Sequence, residues 1–259
     1  MKTNDLVRGL SSDGAFVVSE SHVKPENRPG EICEVLCPEG YRYFRYMKAE
    51  EAFAIGQVAM VAALIDNADV DQAQAVGTNI LKGTGDFTAN DFGASIGAKW
   101  PDAFVSIDAN GTGIGQTRHI KSNRQSTDYL TLDKNWDTAL TTSSDYVTYA
   151  PNYVSLCDTD DVSAVASRVR GVAISAVTDE YWAWFQIRGF CPLVRFVGTT
   201  DPAVRGAPIV PSSTAGAAKG YTNGGITATD AATMFGYAEH AYAEADAAGV
   251  GIAATLFII

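Results

Sequence analysis

Positive charge is scarce in this sequence. Nineteen Lys and Arg stand against 30 Asp and Glu over 259 residues, a formal charge of −11. Phosphate backbones are gripped by clustered Lys and Arg, and here the cations occur singly, so no nucleic-acid partner is expected. The same acidity opposes adsorption to anionic membranes. Long apolar runs are missing too. The longest, Ile252–Ile259, is far short of a membrane span. The opening residues MKTNDLVRGLSSDG lack the continuous apolar core of a secretory signal. The expectation is synthesis in a cytoplasm.

Cysteine and histidine are also sparse. Cys33, Cys37, Cys157 and Cys191 follow no disulfide-framework rhythm, and a chain of this size needs none. Cys33-x-x-x-Cys37 has the wrong spacing for a zinc knuckle and no neighbouring His. The three histidines, His22, His119 and His240, are too scattered to make a metal or acid–base set. Free thiols, no metal and no cofactor are the expectations.

What the chain does contain is apolar residues at 46%, 24 glycines and abundant Thr, Ser and Ala, the make-up of a turn-rich β protein with a real core. Between Val162 and Pro211 the text predicts short strands at Val169–Ile174, Tyr181–Arg188, Pro192–Val197 and Ala207–Pro211. They are separated by Asp179-Glu180, Gly189 and Thr199-Thr200-Asp201-Pro202. In Tyr181–Arg188 the alternation puts Tyr181, Ala183, Phe185 and Ile187 on a core face, and Trp182, Trp184, Gln186 and Arg188 on the other. That second face is either a partly covered outer face tucked under a loop or a contact surface, because Trp and Arg are enriched at binding hot spots.

Upstream, Met1–Gly30 reads as an extended arm with one strand-like patch, Ala15–Val18. It is either a loose tail or a segment that orders on a partner by adding a strand to an exposed edge. Gly40–Val61 predicts strand–turn–strand interrupted at Gly56, with a helix over Lys48–Ile55 as the competing reading. Asp66–Ala75 predicts a polar surface loop, since it lacks the glycine and closing glutamate of a calcium loop. From Gly77 to Ala150 the texture turns to Gly, Thr, Asn and Asp. Short alternations at Ala103–Ile107, Thr117–Ile120, Tyr129–Leu132 and Tyr146–Tyr149 predict a second β-rich unit inserted into the first. Ala215–Thr233 predicts a long loop or hairpin tip, followed by a strand from Phe235 and a last strand at Val250–Ile259.

Three motifs invite a catalytic or nucleotide reading. Gly93-Ala94-Ser95-Ile96-Gly97 matches the nucleophile elbow, but the buried strand before it and the helix after it are absent from the text, which leaves a serine hydrolase using Ser95 as a minor alternative. Gly111-Thr112-Gly113-Ile114-Gly115 lacks the Lys-Ser/Thr of a phosphate loop and predicts a turn rich in positive φ. Asp158-Thr159-Asp160-Asp161 and Asp179-Glu180 predict solvated turns. No enzyme is expected.

The succession RGVAISAV, YWAWFQIRG, VRFVG and GAPIVP between Arg170 and Pro211, continued by Phe235-Gly236-Tyr237-Ala238 and Val250–Ile259, resembles the C-terminal β-domain of tailed-bacteriophage capsid decoration (cement) proteins. The likeness covers about the last hundred residues, and Gly40–Val61 more loosely. Gly113–Asn123 is similar, more weakly, to text in some phage virion proteins. The resemblance implies a β-sandwich or barrel-like domain over 31–65 plus 151–259, a second β-rich domain over 66–150, and the arm over 1–30. It further implies a head-stabilising protein on the outer capsid surface, with the major capsid protein as partner and self-association as a homotrimer. Phe16, Val18, Trp182, Trp184 and Arg188 are the expected interface residues. Another virion role (head fibre, tail or connector protein, possibly glycan-binding) is the alternative.

Overall fold

Among the described residues of the computed structural model fifteen strands carry the regular structure, and none is helical. The described residues are 7–10, 22, 24, 26–83, 87, 92, 99–100, 102–108, 110–124, 128–157, 169–197, 205–212, 214–220, 234–239 and 250–258, with the side chains of 7–10, 63–67 and 250 left aside. The fold is mainly β, as β-branched and aromatic runs between turn residues dictate.

Two compact units divide the chain. One comprises Met1–Val61, Asn152–Val162 and Ser167–Ile259, and the other Ala62–Pro151 with Ser163–Ala166. The chain leaves the first unit within β4 (Val58–Asp69) and returns within β9 (Asp145–Leu156).

In the first unit the central element is β11 (Trp182–Phe196). One edge pairs with β3 (Gly40–Ala49), and the other with β10 (Val169–Ala173) and then β15 (Val250–Phe257). The pairings form two circuits that share this strand. The first runs β11, β10, β4, β9, β3 and back to β11. The second runs from β11 through β15, β14 (Gly236–Ala238), β12 (Pro208–Pro211) and β13 (Ala218–Gly220) to β11 again at Phe196. Met47, Phe53, Ala59, Val154, Ala173, Ala183 and Phe185 cluster in one core, and Cys191, Val194, Phe196, Ile209, Ile252 and Leu256 in another. Outside the circuits, β2 (Ile32–Cys37) pairs antiparallel with β3, and β1 (Val7–Leu10) pairs parallel with β2.

Two expected strands prove to be one. Gly189 does not break the run: it adopts φ +88, and a Cβ there would lie 2.3 Å from the Tyr41 carbonyl oxygen. A strand can pass so close to its neighbour only where the side chain is missing. Against β3 the register slips between Gln186 and Arg188, a bulge with Ile187 as the extra residue. Ile187 therefore leaves the face of Ala183 and Phe185 and packs in the other cluster. Pro192 lies at a second slip, between Cys191 and Val194, where no ladder hydrogen bond needs its missing N–H.

Around Lys48–Ile55 the chain takes strand–turn–strand, not helix, with Gly56 at φ +82 before β4. Asp66–Asp69, expected in a loop, continue β4, and Ala218–Gly220, also expected in a loop, form β13.

The second unit holds β5 (Ile80–Lys82), β6 (Phe104–Ile107), β7 (Thr117–Arg124) and β8 (Tyr129–Leu132). β6 pairs with β7 and β9, and β8 with β7 and β5. Its Gly-rich segment is a turn: Asn110, Gly111, Gly113 and Gly115 all have positive φ. Ser144 pins it, its Oγ accepting from the N–H groups of Thr112 and Thr141 (both 3.1 Å) and donating to the Thr112 carbonyl (2.9 Å).

Candidate binding surface

The tryptophan face of β11 is interior. Trp182 and Trp184 are 6% and 4% exposed, and both β11 faces are buried from Trp182 to Ile187. Cross-strand pairing sets Trp184 opposite Tyr46 and Trp182 opposite Lys48. The Tyr46 ring lies 5.7 Å from Trp182 at 20° and 5.1 Å from Trp184 at 53°, while Tyr153 meets Trp182 edge-on at 5.7 Å. This corrects the contact-surface reading of the two tryptophans: the chain's own aromatics cover them, leaving no ring face for a second subunit.

Part of the N-terminal segment helps to cover that face. His22 exchanges backbone hydrogen bonds with Trp182 (2.8 and 2.7 Å), and the Gly30 N–H donates to the Tyr46 carbonyl (2.8 Å). The Glu26 N–H donates to the Tyr46 hydroxyl (3.2 Å), and burial pushes that phenol's pKa up. Sheet pairing by this segment, foreseen toward a partner, is made here within the chain at His22 and at β1. Phe16 and Val18 lie outside the described residues.

At the edge of the buried aromatics, Lys48 reaches the carboxylates of Glu50 (3.2 Å) and Glu180 and sits 5.5 Å above the Tyr153 ring. Burial pulls its ammonium pKa down, and the two carboxylates outweigh that pull, so it stands above the ordinary value.

Beyond the bulge the alternation opens outward, and Arg188 is exposed. Its guanidinium lies 5.7 Å over the Tyr43 ring, and Arg42 sits 5.5 Å over Phe190. The register places Arg188 between Tyr43 and Phe257, and Phe190 opposite Thr255, which in turn faces Tyr237. Tyr237 is 42% exposed and its ring is 5.2 Å from Phe257. At the β2–β3 hairpin, Leu36 and Tyr41 are direct cross-strand partners, 42% and 54% exposed. The first unit thus displays aromatic and aliphatic groups with two stacked arginines, the residue types that carry protein interfaces. Of the expected interface residues that are described, Arg188 belongs to it and Trp182 and Trp184 do not. Leu36, Tyr41, Tyr237 and Phe257 went unforeseen; the available signal was a tight Pro38-Glu39-Gly40 turn flanked by large apolar residues.

None of the four cysteines is in a disulfide, and Cys33, Cys157 and Cys191 are buried. Burial pushes the Cys191 thiol up to about 11, with its Sγ donating to the Leu193 carbonyl at 3.3 Å, the opposite of a nucleophile's environment. Ser95 and His240 lie outside the described residues. Among the described residues no three His, Cys, Asp or Glu converge to hold a metal, and no helix is long and apolar enough to cross a membrane. Comparison with known proteins finds no matching family model, no similar curated protein and no similar solved structure.

Proposed function

We propose that the protein is a structural component of a tailed-phage virion, a decoration or cement protein that binds the outer surface of the assembled capsid and stabilises the shell. It works through protein contacts, with no catalytic step. The major capsid protein is its partner, a homotrimer its working form, and Arg188 with its aromatic neighbours the gripping face. Repetition of one moderate contact over a lattice gives avidity without high single-site affinity.

The observation that carries this reading is the structural role of the glycines on which the resemblance rests. A Cβ at Gly171 would meet the Phe185 Cβ at 2.7 Å, and one at Gly236 the Thr255 carbonyl oxygen at 2.7 Å, alongside the clash at Gly189. Each marks a close approach between neighbouring strands, so the placement of these glycines encodes how the strands pack. Surface chemistry agrees: the exposed Arg188, raised on the Tyr43 ring, suits an acidic-and-apolar partner surface, whereas Arg42 is already paired with Glu39 at 3.0 Å.

The test is co-sedimentation with empty shells assembled from the major capsid protein of the same phage. Wild-type protein is expected to pellet with shells and to raise their disruption temperature, while the Arg188→Glu, Tyr41→Ser double variant binds at least tenfold more weakly. Wild-type protein that stays in the supernatant overturns the proposal.

A further inference from the structure

The Gly-rich turn of the second unit opens on Asn110-Gly111, a dipeptide with a chemistry of its own. Both residues are exposed, and both hold left-handed backbone, φ 50 and 57, which Asn and Gly adopt at little cost. Among the described residues the Gly111 N–H meets no acceptor. The nitrogen that can attack the neighbouring carboxamide is thus neither screened by a side chain of its own nor tied into a ladder.

The Asn110 carboxamide also serves as a fastening. Its Nδ2 donates to the Asp145 carboxylate at the start of β9, beside Ser144, which pins the same turn. The Asp145 carbonyl accepts from the Asp108 N–H at 3.1 Å. Asp69, at the end of β4, shares a hydrogen bond with the Asp145 side chain, and that contact raises the Asp69 pKa. One amide donor therefore stands where two carboxylates already meet. Gly111 has no slack either: a Cβ on it would lie 2.6 Å from the Ser144 nitrogen and Oγ, and 2.7 Å from the Thr141 Oγ1.

We propose that Asn110-Gly111 is a self-modification site, a slow timer whose firing unfastens this turn from β9. The Gly111 nitrogen gives its proton to a solvent base and bonds to the Asn110 Cγ. The bond from Cγ to Nδ2 breaks, and ammonia leaves with a proton returned by solvent. Water then opens the cyclic imide at either carbonyl, giving aspartate or isoaspartate; the net change is a water gained and an ammonia lost. Aspartate puts a third carboxylate where the donor was, facing Asp145 and Asp69. Isoaspartate also lengthens the main chain by an atom, next to a Gly111 wedged against Ser144 and Thr141. Both products loosen the same turn.

The experiment ages the intact protein in warm, mildly alkaline buffer beside a synthetic peptide of residues 103–114. The tryptic peptide Trp100–Arg118 contains no other asparagine, so its mass reports Asn110 without confusion with Asn223-Gly224. Asn110 in the folded protein is expected to convert within severalfold of the rate in the free peptide. The converted fraction, isolated by anion exchange, should unfold at lower urea and lose hydrogen-exchange protection at the Thr112 and Thr141 amides. Fresh Asn110→Asp should show part of that loss; because Asp suits such a turn nearly as well as Asn, the loss reports the crowded carboxylates. Aged Asn110→Gln should keep its starting midpoint, and if it does not fold, aged against fresh wild-type protein still decides. Asn110 that stays an amide while the peptide converts overturns the proposal, as does conversion that leaves the urea midpoint and both amides unchanged.

Discussion

In the first unit a strand of 15 residues carries Trp182, Trp184, Phe185 and Phe196 into burial, and its neighbours close around it in two circuits. The strands lying wholly in the second unit have between 3 and 8 residues, and polar side chains hold the turns between them. Arg118 shows the second style best. Its guanidinium donates to the Asn135 and Thr117 carbonyls (both 2.9 Å) and to Asp137 (2.8 Å), while lying 5.4 Å over the Trp136 ring. The Gln116 amide oxygen accepts from the Asp137 N–H at 2.7 Å, and the Trp136 indole donates to the Ile80 carbonyl at 2.8 Å. Long strands can rely on apolar packing along their length. Short ones spend a larger fraction of backbone in turns, whose polar groups must be satisfied by side chains.

The contrast predicts where each unit breaks. Gly189→Val gives the largest effect, since it forces a β-branched residue to φ +88 with its Cβ 2.3 Å from a backbone oxygen. A loss of about 4 kcal/mol or more is expected in urea unfolding. Gly40→Ala is the control: φ is +114 but nothing lies within 4 Å, so about 1 kcal/mol is expected. Equal losses at the two sites would show that close strand approach does not hold β11 in place.

Next comes Trp184→Ala, expected to cost about 3–5 kcal/mol as a cavity opens beside Tyr46. A loss under about 1 kcal/mol, typical of a surface position, would mean that the ring is not packed in the interior after all.

Ser144→Ala, in the second unit, should cost about 1–2 kcal/mol, because two partly buried backbone N–H groups lose the fully buried hydroxyl that accepts from them. Hydrogen exchange sharpens the comparison. The Thr112 and Thr141 amides should lose protection while those of Ala183 and Phe185 keep theirs. Uniform loss across both units would show that they unfold as one.

Much of this strand plan was legible from period and punctuation. Tyr129–Leu132 has the bounds expected for β8, and Val169–Ala173 falls one residue short of its expected span. Such runs alternate cleanly and end at turn residues. The errors have a common cause: backbone pairing overrode local signals. Gly189 and Pro192 look like breakers in isolation, yet Gly189 stays in register with Leu256 just past the slip against β3, where its positive φ is wanted, and Pro192 sits at the slip against β15, where a missing N–H is harmless. Period-2 alternation does identify Trp182 and Trp184 as one face, but it cannot show that Tyr46 and Tyr153, more than a hundred and about thirty residues away, lie on top of it. The exposed Leu36–Tyr41 pair was hidden for the complementary reason, since apolar residues in a strand look alike whether covered or not.

Lys48→Met has the smallest expected effect and probes where the two styles meet, a charged group at the margin of an aromatic core. The Lys48 side chain is 13% exposed and that of Glu180 50%. Solvent screening at Glu180, and the desolvation cost of the less exposed Glu50 (14%), limit the two ion pairs together to about 0.5 kcal/mol. The sign follows from linkage. The ammonium pKa in the folded protein lies above its ordinary 10.5, so its stabilisation is complete below 10.5 and fades as pH rises through the folded value. Met keeps the aliphatic stem against Tyr153 and removes only the charge. Urea unfolding at neutral pH should find the variant about 0.5 kcal/mol weaker, and the gap should close above pH 10.5. A gap that stays constant through that range would assign the difference to packing against Tyr153 and not to charge.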